Sequence, residues 1–93
     1  GRAYLFIATL YQESVNDCGT NLFEKRMVYV AALNMAKRAA AVDPSISSKA
    51  KKYIRRYAAN TPSKKTIFNA TAIPGGKFTI KCWIGETVRI PNK

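Results

Sequence analysis

The stretch NLFEKRMVYVAALNMAKRAAAVDP, residues 21–44, decides the fold. It is rich in alanine, the best helix former, and predicts a helix from about Leu22 to Val42. Asn21 is placed to cap its start. Glu24, three residues on, completes an approximate capping box. Asp43-Pro44 ends the helix, because a residue before proline is pushed out of the helical region. Phe23, Met27, Val30, Ala31 and Asn34 trace one side, and Met35, Arg38 and Val42 trace another. Alanines at 31, 32, 36, 39, 40 and 41 keep the rod slim. A slim helix with two apolar sides admits close neighbours on both, so it belongs at the centre.

Upstream, residues 2–15 predict a first helix. Tyr4, Ile7, Ala8 and Tyr11 recur at i, i+3, i+4 and i+7, with Leu5 and Leu10 widening the stripe. Turn-forming residues Asn16, Asp17, Gly19, Thr20 and Asn21 then read as a loop carrying Cys18. Downstream, residues 45–59 predict a third helix with the stripe Ile46, Ala50, Tyr53, Ile54, Tyr57 and Ala58. Asn60-Thr61-Pro62-Ser63 stops it, and residues 66–73 carry no decisive pattern. Pro74-Gly75-Gly76 reads as a turn. Residues 77–84 and 87–91 read as a β-hairpin closed by Gly85-Glu86 in a type II′ turn. That register sets Trp83 opposite Val88 as a plug under the ribbon, with Cys82 and Ile84 on the other face. A lone hairpin is marginal in water, so this one must pack on the helices. The expected class is α+β, one domain over residues 1–93: a three-helix antiparallel array, then a C-terminal hairpin.

The first-helix residues Tyr4, Ile7, Ala8 and Tyr11, followed by Ala32, Ala39 and Pro44, resemble the signature of a tetratricopeptide (TPR) repeat. Ala36 stands where that repeat has a large aromatic. The two halves are separated by about twelve more residues than its spacing allows. The C-terminal stretch, with Tyr57, Thr61-Pro62-Ser63-Lys64, Phe78-Thr79-Ile80, Cys82-Trp83-Ile84 and Thr87-Val88-Arg89, resembles the tail of bacterial envelope TPR proteins of unassigned function. The resemblance implies a TPR-like helical module, part of a larger protein of the periplasm or cell envelope, and names no substrate. No secretion signal is read in this stretch of chain.

The charge is lopsided: 16 Lys+Arg against five Asp+Glu, with no histidine and a net charge of +11. Such a field favours phosphate, acidic polymers, anionic lipid surfaces or an acidic protein partner without choosing among them. No apolar run is long enough to span a membrane. Cys18 and Cys82 lack metal-ligand spacing and a histidine co-ligand, so no metal or cofactor is expected. They are either two buried thiols or a disulfide tying the first loop to the C-terminal strand. Without histidine there is no Ser-His-Asp or Cys-His nucleophile, and the acids form no catalytic pair. Asn69-Ala70-Thr71 matches a glycosylation sequon. The basic run 49–65 carries seven cations, and Lys49, Lys52, Arg55, Arg56 and Lys64 are candidate anion-binding residues. Tyr53 and Tyr57 lie among them, placed either to stack on bases or to fill the core; their membership of the apolar stripe favours the core. The expected function is a non-catalytic protein–protein interaction or scaffold module. The alternative is a nucleic-acid or polyanion-binding domain using this helix.

Overall fold

The computed structural model describes residues 2–92. Five helices precede a two-stranded sheet: α1 Arg2–Glu13, α2 Val15–Cys18, α3 Leu22–Val42, α4 Ser47–Ala59, α5 Lys64–Asn69, β1 Lys77–Thr79 and β2 Thr87–Arg89. A 3₁₀ turn, Pro44–Ile46, leads into α4. The class is α+β, helices followed by a small antiparallel sheet.

The central position of α3 follows from its slimness. Both α1 and α4 make their main packing contact with α3, and α2, α5 and β2 also touch it. Ala31, Ala32, Ala36 and Ala39 are fully buried, and Met27, Val28, Val30 and Met35 fill the gaps between neighbours. The caps act as their chemistry dictates. Asn21 Oδ1 accepts from Glu24 N at 2.9 Å. Glu24 does not return to Asn21; its Oε1 accepts from Thr20 N at 2.8 Å and from Thr20 Oγ1 at 2.5 Å, which orders the loop before the helix. At the far end Asp43 Oδ1 accepts from Ser45 N at 3.1 Å and from Ser45 Oγ at 2.5 Å, starting the 3₁₀ turn as α3 stops.

Four sequence expectations are corrected. The first helix ends at Glu13, not 15, where Ser14 Oγ donates to Leu10 O at 2.9 Å and competes with the helical ladder. Of residues 16–21, read as loop, 16–18 belong to the separate turn of helix α2. The third helix, read as 45–59, is a 3₁₀ turn followed by α4. Residues 64–69, left unassigned, form α5, capped by Ser63 Oγ accepting from Thr66 N at 3.1 Å. It closes with Ala72 N donating to Ile67 O at 3.1 Å and Thr71 N to Phe68 O at 3.0 Å, a Schellman ending with Thr71 at φ 54°.

The hairpin is the largest departure. Pairing runs Lys77↔Arg89, Phe78↔Val88 and Thr79↔Thr87, shifted by five positions from the Gly85-Glu86 register. Residues 80–86 form a connection, so neither 77–84 nor 87–91 is a continuous strand. Phe78, not Trp83, faces Val88. Its ring meets Phe23 of α3 edge-on at 5.4 Å, which seats the sheet against the helices. The Pro74-Gly75 turn forms as expected: Gly76 N donates to Ile73 O at 2.8 Å, and Gly75 takes φ +79°.

Candidate functional site

Cys18 at the end of α2 and Cys82 in the 80–86 connection form a disulfide, with Cα atoms 5.3 Å apart. The bridge explains the connection's shape: after a last backbone bond from Ile80 N to Glu86 O at 2.8 Å, residues 81–85 leave the ladder and Cys82 reaches α2. Trp83 follows outward. It is 60% exposed rather than a core plug, its ring lies 5.5 Å from Tyr11, and its Nε1 donates to Ser14 Oγ at 3.0 Å. The Tyr11 hydroxyl is pushed up to about 12, first by burial and then by the Glu86 carboxylate it faces.

The candidate anion-binding residues do not converge on one spot. Lys49, Lys52 and Arg56 come together with Ser48 and Tyr53 around a shallow hollow of about 500 Å³ on α4. Arg55 does not line this hollow, and Lys64 lines a different one, on α5. Arg56 sits over the Tyr53 ring at 5.9 Å, a cation–π contact. The two tyrosines split their roles: Tyr57 is fully buried, whereas Tyr53 is half-buried with one part of its ring on the hollow. Burial raises the Tyr57 hydroxyl. That group lies near Thr9, whose Oγ1 donates to Leu5 O at 3.0 Å, but makes no hydrogen bond of good geometry.

Two of the acids are occupied elsewhere. Hydrogen bonds from Thr20 hold Glu24 below the usual carboxylate range, and a hydrogen bond from Ser45 does the same for Asp43. Among the described residues no ion pair is formed between a basic and an acidic side chain, and the cations of α4 face solvent. No group of three or more His, Cys, Asp or Glu that would suit a metal occurs among these residues. No described helix is long and apolar enough to cross a membrane.

A second feature had no sequence signal beyond Ser63. Helix α5 and the chain after it form an apolar hollow of about 500 Å³, floored by Ile67, Phe68, Ala72 and Pro74 and edged by Lys64 and Lys65. Phe68 is 79% exposed, and nearby Ile73 is 75% exposed. Of the residues that carry the TPR resemblance, Ala8, Tyr11, Ala32 and Ala39 are buried, Tyr4 and Ile7 are half-buried, and Pro44 is exposed at the start of the 3₁₀ turn. No protein-family model, no curated protein and no solved structure matches this chain.

Proposed function

We propose that this chain is a non-catalytic protein–protein interaction module, TPR-like in its helical part, that docks an acidic protein segment on α5. The observation that carries the reading is the hollow beside Phe68. A phenyl ring held this far into solvent beside an apolar floor marks a contact surface more than a lone exposed residue does. Lys64 and Lys65 at its edge, with no carboxylate lining it, match an apolar anchor flanked by Asp or Glu. The disulfide and the resemblance to envelope proteins together support an oxidising compartment, the periplasm or cell envelope, as its place of work.

The test uses a peptide in which acidic residues flank a leucine–phenylalanine anchor. The peptide is titrated into isotopically labelled protein and followed by amide shifts. Shifts centred on Lys64, Lys65, Phe68 and Ala72, lost in Phe68→Ser, support the reading. Binding that ignores Phe68→Ser, or shifts spread only over α4, overturns it. Polyanion binding through α4 is the second reading, favoured by the unpaired cations around Tyr53.

A further inference from the structure

Two hollows adjoin on either side of Tyr53, and Lys49 and Tyr53 line both. The one of about 310 Å³ lies between helices: Leu5 and Phe6 of α1 and Ile46 of the 3₁₀ turn give it an apolar wall, with Arg2 and Lys49 also lining it. The other, of about 500 Å³, is lined by Ser48, Lys52 and Arg56 as well as the shared pair. Together they offer an apolar compartment beside a cationic one, in the size range of small-molecule sites. Phe6 is 65% exposed, an aromatic ring left in solvent beside the apolar compartment.

We propose that these two hollows form one site for a phosphomonoester carried on an apolar or aromatic body. Lys49, Lys52 and Arg56, with the Ser48 hydroxyl, would take the phosphate oxygens through charge-assisted hydrogen bonds. The body would lie on Phe6, Ile46 and the Tyr53 ring. No carboxylate lines either hollow, and Asp43, just before the 3₁₀ turn, is engaged with Ser45. A continuous nucleic-acid backbone fits less well, because Lys51 and Arg55 of the same helix line neither hollow. The chemistry is shared by a nucleoside monophosphate and a single-chain lipid phosphate. The site is separate from the α5 hollow and stands or falls apart from it.

The experiment titrates the protein with inorganic phosphate, AMP, octyl phosphate and a single-stranded oligonucleotide, by calorimetry and amide shifts. AMP or octyl phosphate should bind about tenfold or more tightly than inorganic phosphate, shifting Phe6, Ile46, Lys49 and Tyr53. Preference for AMP identifies the nucleotide source, and preference for octyl phosphate the lipid source; either supports the site. Lys49→Glu should lower that affinity about tenfold or more, while Arg89→Glu, the same charge change on β2, should leave it nearly unchanged. Phe6→Ala should weaken the amphiphilic ligands and spare inorganic phosphate. All three positions are exposed, so the variants fold. Equal binding of all three phosphates overturns the proposal, as does equal weakening by the two charge reversals. So does tighter binding of the oligonucleotide with Lys51 and Arg55 shifting alongside Lys49.

Discussion

Replacing both Cys18 and Cys82 by serine removes the covalent tie between α2 and the 80–86 connection while keeping side-chain size nearly constant. The bridged residues are 64 apart. In the chain-entropy account, freeing a loop of that length stabilises the unfolded state by about 4 kcal/mol. Spread over the unfolding entropy of a domain this size, that lowers the melting temperature by roughly 20 °C. A domain of this length holds on the order of 5–15 kcal/mol in all, so the loss is between about a quarter and most of its stability. The contacts around Trp83, its ring on the buried Tyr11 and its exposed hydrogen bond to Ser14, remain as the non-covalent hold on the connection. Circular dichroism in a urea series reads the helices. Emission of Trp83, the only tryptophan, reads the connection in the same samples. In the double-serine variant, the emission change should precede the loss of helix. In the native protein the two should coincide. A loss below about 1 kcal/mol would refute the entropic reasoning. Two free thiols in the denatured, unreduced protein would refute the bridge itself.

Tyr57→Ala should cost about 3–5 kcal/mol, as for a buried aromatic, whereas Tyr57→Phe should be neutral or stabilising because the buried hydroxyl has no good partner; denaturant midpoints decide. Gly19→Ala should cost about 1–3 kcal/mol, since its Cβ would stand 2.6 Å from Lys25 N, and an unchanged midpoint would contradict that close approach. Thr71→Gly should stabilise by about 1 kcal/mol in the same assay, relieving a β-branched residue at φ 54°. Tyr11 is held protonated in the fold, up to about 12 against an unfolded value of 10.0. Its contribution is therefore complete below pH 10 and lost as pH rises towards 12. Phenolate absorbance should show late-titrating tyrosines, one of which is lost in Tyr11→Phe while the raised Tyr57 hydroxyl remains.

What was legible in the chain was local. Asn21 with Glu24 and Asp43-Pro44 announce both ends of α3 because caps and proline act within one turn. The alanine run announces its central place because slimness is a property of composition. The expected C-terminal antiparallel pair forms, but its register and the length of its first strand were misread because the evidence was local and the cause is not. Residues 78–84 have strand-like side chains, yet Cys82 is drawn out of the ladder by a partner 64 residues away, and Trp83 follows it onto Tyr11. Gly19 was read as a turn former, but its backbone is extended and its smallness serves the approach to Lys25. Helix α5 has a single buried side chain, Ile67, too little for a periodic stripe; only Ser63 three residues before Thr66 hinted at it. At the α4 surface, sequence grouped five cations by proximity along the chain, whereas helix geometry gathers Lys49, Lys52 and Arg56 and turns Arg55 elsewhere.

The Cys18–Cys82 bridge also has a mechanical meaning. Tension applied through the chain on either side of the two cysteines passes across the sulfur–sulfur bond. It bypasses α3, α4, α5 and β1, which lie between them in sequence. While the bond is intact, those elements can lose their folded order under load without lengthening the molecule. Once it is reduced, the same pull pays out a loop of on the order of 200 Å. Within a larger assembly the segment from Cys18 to Cys82 would thus act as a fixed link under oxidising conditions and as a slack tether under reducing ones, while α1 and β2, outside the loop, bear the load in both.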